Sequence, residues 1–173
     1  MAMLKRVFCT AAIMFAASSP VFAQSATGTG SITVVRPLTV TKNLDLAFGT
    51  VVRPSTGSGT AIVSTAGART FTGGVVGLAS GDAPQAARFT VDGEGGQSVS
   101  VTIPASFSIT NNTDTLAVTT SNDLTGSVAA QTLSNTMGNA GSLVMNVGGN
   151  VPITATTPTG LYTGTFTVSA AYN

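Results

Sequence analysis

The sequence predicts an all-β protein built as an antiparallel β-sandwich, and three observations carry that expectation. Apolar residues alternate with Thr and Ser at a period of two along most of the chain. Clusters of Gly, Pro, Asn and Asp interrupt the alternation at roughly the eight-to-twelve-residue spacing of sandwiches and barrels. No window places apolar residues at helical spacing.

In chain order, Ile32 and Val34 alternate with Ser31 and Thr33, and residues 38–41 continue extended after Pro37. Strands are expected next at 44–52, 60–64 and 69–78. Ala87, Phe89 and Val91 make one apolar face, and Val99, Val101 and Ile103 make another against Ser98, Ser100 and Thr102. Phe107 with Ile109, Leu116 with Val118, Leu143 with Met145 and Val147, and Val151 with Ile153 repeat the scheme. Turns are expected at 54–59, 79–84, 93–96, 111–114, 148–150 and 158–160, where the turn-forming residues cluster. Residues 121–140 are the one long, weakly patterned connection. They read as a surface loop, with a helical turn at 124–133 as the alternative.

The final stretch has the strictest alternation. Phe166, Val168, Ala170 and Tyr172 share one face, and Thr165, Thr167, Ser169 and Ala171 share the other. No side chain on it is charged. Sheet edges are normally paired, covered or charged, so this strand is expected to receive a partner strand.

At the other end, Lys5 and Arg6 precede an uncharged apolar run at 7–17. Ser18, Ser19 and Pro20 break it, and Val21, Phe22 and Ala23 supply a small-residue cleavage pattern. This is expected to be a secretory signal peptide, residues 1–23, cut before Gln24. Its apolar run falls short of the ~20 residues of a membrane span. Cys9 is the only cysteine and leaves with it, so residues 24–173 are expected to form one domain without a disulfide. That part carries five basic and six acidic side chains. It has no basic block to suit nucleic acid or an acidic membrane surface.

Catalytic chemistry is poorly supplied. The chain has no His and no Trp, so no side chain titrates naturally near neutral pH as a general base. No Ser sits in a nucleophile-elbow pattern. Asp92 and Glu94 flank Gly93 and read as a hairpin turn in preference to a catalytic carboxylate pair. Asn111, Asn112, Asp114, Asn122 and Asp123 offer oxygen atoms, but two loops with so few carboxylates fit solvated turns better than a six-to-eight-oxygen calcium site. The chain is expected not to be an enzyme and to need no cofactor or metal.

Gly160, fourteenth from the end, the penultimate Tyr172 and the alternation between them resemble the C-terminal signature of chaperone–usher pilins. The stretches 44–49, 89–93 and 143–149, with Gly160, Tyr162, Gly164 and Phe166, resemble a secreted bacterial family of unknown function similar to spore-coat-protein-U-like pilin subunits. The resemblance implies an immunoglobulin-like pilin sandwich lacking its last strand. It implies a groove lined by Gly160, Tyr162, Phe166, Val168, Ala170 and Tyr172, with Asn173 supplying a carboxylate. A periplasmic pilus chaperone fills that groove first, and the N-terminal extension of another pilin subunit replaces it at an outer-membrane usher. The candidate donor phase is Ala26, Gly28, Gly30, Ile32 and Val34. The disulfide that many such pilins carry is missing. The expected function is a structural subunit of a surface fimbria assembled by donor-strand complementation, or a secreted relative, exported through the periplasm to the cell surface. The alternative is a secreted β-sandwich module that binds carbohydrate or another surface through its loops.

Overall fold

The computed structural model describes residues 22–173. The expected leader lies outside the described residues except for Phe22 and Ala23, and Cys9 lies outside them too. The chain divides at Thr33/Val34. Residues 22–33 form no strand and are exposed throughout. The strand expected around Ile32 and Val34 is therefore corrected: Ile32 is 87% exposed, and nothing is buried there to reward the alternation.

Every regular element in Val34–Asn173 is a β-strand, and every pairing is antiparallel. The strands are β1 (Thr39–Leu44), β2 (Val51–Val52), β3 (Ser58–Val63), β4 (Arg69–Thr72), β5 (Val76–Gly77) and β6 (Ala87–Glu94). They continue with β7 (Ser98–Thr102), β8 (Ser106–Thr110), β9 (Thr115–Asn122), β10 (Gln131–Thr132), β11 (Ala140–Thr154) and β12 (Ser169–Tyr172). The large sheet runs β1-β6-β11-β3-β4, with β9 on β11 and β8 on β9. A small sheet runs β10-β7-β12, and β2 pairs with β5 alone.

The expected sandwich is present. Phe89, Val91, Met145 and Val147 from the large sheet pack against Val99, Val101 and Val168 from the small sheet and its flank, with Leu133 between. A second cluster joins Ala61, Val75, Val118, Val151 and Ile153, with Leu46, Phe48 and Phe71 packed against it. The alternation is the cause: β3, β6, β7 and the second half of β11 each bury every other residue.

Several boundaries differ from expectation, each for a local reason. The strand expected at 69–78 is cut by Gly73 and Gly74, whose φ values of 60° and 80° turn the chain. The strand expected at 44–52 ends at Leu44 and resumes at Val51, with Gly49 at φ 67° between. The turn expected at 148–150 is corrected to continuous strand, since β11 runs straight through it. Both glycines are buried there: Gly148 lies against the Val63 carbonyl and the 64–65 backbone, and Gly149 against the side chains of Val118, Leu46 and Phe48. Residues 121–140 contain no helix. They are also more than a surface loop, because Leu133 is core and Gln131 is buried with Nε2 donating to the carbonyls of Thr125 (2.9 Å) and Ser127 (2.8 Å).

Arg69 closes the β4 side of the molecule. Its Nη1 donates to the carbonyls of Phe48 (2.9 Å) and Thr50 (3.1 Å), its Nη2 donates to that of Leu78 (3.0 Å), and its guanidinium lies 5.1 Å from the centre of the Phe71 ring. Arg69→Ala is expected to cost about 1.5–3 kcal/mol, the range for hydrogen bonds from a charged donor. Arg69→Lys should recover only part of this, since one ammonium cannot reproduce the planar fork. Urea denaturation of the three proteins checks both statements.

Candidate functional site

β12 is short because only Ser169–Tyr172 finds a ladder partner. Ser169 lies opposite Thr102 and Tyr172 opposite Val99, both on β7. The other edge of β12 has no strand on it among the described residues. Residues 164–167 lead into β12 in extended form and make no backbone hydrogen bond with any described residue. The strand expected from Phe166 onward therefore starts three residues later. Its side chains nevertheless keep the expected phase. Val168 is buried, and Phe166, Ala170 and Tyr172 are half-buried against the same core, whereas Thr165, Thr167, Ser169 and Ala171 are exposed. The Phe166 ring meets Phe107 at 4.7 Å and Phe89 edge-on at 5.8 Å.

The β1 edge of the large sheet is also open among the described residues. All six of its residues are exposed. Val40 lies opposite Val91 and Lys42 opposite Phe89. Directly opposed residues share a face, so both point to the core side, yet Val40 is 37% exposed. Lys42 turns instead to Asp45, with Nζ 2.6 Å from its Oδ1.

The two edges approach at the Tyr172 end. Tyr172 Oη accepts from the Glu94 amide (2.6 Å) and donates to the Arg36 carbonyl (2.9 Å). The hydroxyl also lies close over Gly93, where a Cβ would strike it. Glu94 itself is 4% exposed. Its Oε2 accepts from Arg36 Nη1 (2.8 Å) and the Arg36 amide (3.3 Å), and its Oε1 accepts from the Gly138 amide. Arg36 Nη2 completes the group by donating to the Gly138 carbonyl (3.0 Å). The Gly138 N–H holds the Glu94 carboxyl below the usual glutamate range against the opposing effect of burial, and Arg36 lowers it further.

Gly160 and Tyr162 are not brought to this edge. They sit by the β8–β9 turn, where Tyr162 Oη donates to the Pro158 carbonyl (2.9 Å) and reaches Asp114 Oδ2 at 3.3 Å. Burial, and then the Asp114 carboxylate, push the Tyr162 hydroxyl up, which keeps it a donor. Gly160 has φ 145° and faces the Asn111 side chain. Asn173 continues past β12: its amide donates to the Ser98 carbonyl (3.1 Å), and its Nδ2 to Ser98 Oγ (2.8 Å) and the Ala129 carbonyl (2.9 Å). Of the candidate donor residues, Ala26, Gly28, Gly30 and Ile32 lie in the exposed 22–33 stretch, and Val34 is 79% exposed.

Residues 38–172 match a family model described as a domain of unknown function, DUF4402. The chain belongs to the DUF4402 family. No curated protein and no solved structure matches it. The match opens at Leu38, one residue before β1, and closes at Tyr172, the last residue of β12. The DUF4402 region thus includes both open edges, together with Glu94 and Tyr172. It leaves out Arg36 and the exposed residues 22–33.

Sequence reasoning missed the Arg36–Glu94 pair. The Asp92–Glu94 stretch read as a turn, but it is the end of β6. The turn follows at Gly95 and Gly96, closed by the Gln97 amide on the Glu94 carbonyl. An acidic residue just before a glycine turn is ordinarily solvated, so nothing local marks Glu94 as buried. The only signal was the scarcity of charge, at 8% of residues.

Proposed function

We propose that this chain is a structural subunit of a surface fibre, a pilin-like protein completed by a β-strand from another polypeptide. The carrying observation is the pair of open edges. Among the described residues, β12 has no strand on one side, its lead-in at 164–167 has unpaired backbone, and the core-side residues of β1 are exposed. An extended segment added along β12 would satisfy those peptide groups and cover Phe166, Ala170 and Val40, which is how strand addition combines affinity and specificity. In this reading a periplasmic chaperone supplies the first strand. A second subunit supplies the next, through Ala26, Gly28, Gly30, Ile32 and Val34. Export through the leader to the cell surface belongs to the same reading. Catalysis does not, since the chain has neither His nor a Cys outside that leader. The Tyr162 and Tyr172 hydroxyls are engaged internally and their rings are half-buried, so they offer little stacking surface for sugar.

The test is to add a peptide spanning residues 24–34 to purified protein that begins at Val35 and so keeps Arg36 on Glu94. A one-to-one complex in native mass spectrometry is expected, with slowed amide exchange at 164–170. No binding, with a monomer equally stable with and without the peptide, would overturn the reading. So would specific glycan binding by such a monomer.

A further inference from the structure

We infer that Glu94 is an acid-operated latch joining the end of β12 to the segment that leads into β1. Three pieces of chain distant in sequence meet on its carboxylate or its amide: Arg36 before β1, Gly138 between β10 and β11, and Tyr172 at the end of β12. All the groups reaching the carboxylate are N–H donors. A proton placed on either oxygen would therefore point at a donor and displace a bond rather than make one. The Arg36 side chain is 44% exposed and can turn to water when released, whereas the Glu94 side chain, 5% exposed, cannot follow it.

Among the described residues, no carboxylate other than Glu94 bonds to Arg36, Gly138 or Tyr172. The 133–139 stretch around Gly138 has no ionisable side chain. On β6, Asp92 lies two residues before Glu94 and is exposed. β12 contributes the Tyr172 hydroxyl, and the segment before β1 contributes Arg36.

Glu94 titrates below its ordinary value in the folded protein. A depressed carboxyl contributes stability that is fully present above the ordinary glutamate value and is lost as pH falls through the lowered one. Acid thus opens the latch, and neutral pH closes it. When it opens, Arg36 loses its partners, its carbonyl no longer holds Tyr172, and the Tyr172 end of β12 separates from the β1 side. This device depends only on these contacts and stands whether or not the chain assembles into fibres.

Amide exchange on the intact protein tests it. Acidification below the ordinary glutamate range should lower protection at the Arg36, Glu94 and Gly138 amides by about tenfold or more, in a local opening that spares Val91 and Met145. Glu94→Gln should show the same low protection at neutral pH and lose the pH dependence. Unchanged protection at those three amides down to global acid unfolding would overturn the latch, and so would a Glu94→Gln protein that retains the pH dependence. If Glu94→Gln does not fold, Tyr162→Phe leaves Tyr172 as the only tyrosine in a chain without tryptophan. Its emission should then change at a higher pH than the far-ultraviolet circular dichroism. Coincident transitions would overturn the latch.

Discussion

Val168→Asp is expected to be the most damaging single change in the terminal segment, costing about 3–5 kcal/mol, the range for an uncompensated buried charge. Val168 is 8% exposed and packs with Phe89, Val101 and Met145 in the core between the sheets. No cation lies in that cluster to pair with a carboxylate. A domain whose whole stability is about 5–15 kcal/mol would be left marginal or unfolded. The matched control is Thr167→Asp, one residue earlier on the exposed face, where the change should stay within about 0.5 kcal/mol. Denaturation midpoints of the two variants decide the matter. A Val168→Asp protein as stable as the control would mean that the terminal strand does not dock on this core.

Gly164→Val is expected to destabilise by about 1–3 kcal/mol or more, the cost of forcing atoms into a filled space. A Cβ built on Gly164 runs into the Ser108 carbonyl oxygen and lies 3.0 Å from the Ile109 Cα, so rigid backbone on β8 would have to move. Gly164 does not have a positive φ. By conformation alone, Gly164→Ala would therefore stabilise by about 0.4–1 kcal/mol through the unfolded state. The close approach to β8 reverses that sign. Both variants should also lower amide protection at Thr163 and Thr110, whose reciprocal backbone bonds (3.0 and 2.8 Å) anchor the segment next to Gly164. A stabilised Gly164→Ala would show that the segment stands off from β8.

Much of the architecture was legible because burial follows alternation directly. Phe89 and Val91, Val99 and Val101, and Val151 and Ile153 are core for the reason that made them conspicuous in the sequence. The terminal face was legible in the same way, since its phase is set by the pleat even where β12 has not formed. Glycine was the chief source of error. At Gly73 and Gly74 it turns the chain, whereas at Gly148 and Gly149 it lets neighbouring strands come close, and composition does not distinguish these uses. The Arg36–Glu94–Tyr172 group was invisible because its members are far apart in sequence and meet only through the sheet topology. Gly160 and Tyr162 follow a short-range motif with Tyr172, but the extended chain between them carries them to the β8–β9 turn.

The position of β11 also sets a schedule for folding. Val147 pairs with both Ala87 and Asn122, and Gly149 with both Val63 and Thr120, so β6 and β3 lie end to end on one edge of β11 and β9 occupies the other. Before β11 arrives, β1 with β6, β3 with β4 and β8 with β9 can each pair, but nothing in the large sheet joins one pair to another. The nucleus must therefore wait for a strand that begins at Ala140, and its ladders close loops reaching back to Ser58. Chain entropy makes such long-range closure slow. In the interval, the apolar faces of three separate strand pairs stand exposed, a condition that favours aggregation over folding. Refolding should consequently show one late, concentration-sensitive phase, and truncation before residue 154 should yield no partially folded intermediate of comparable stability.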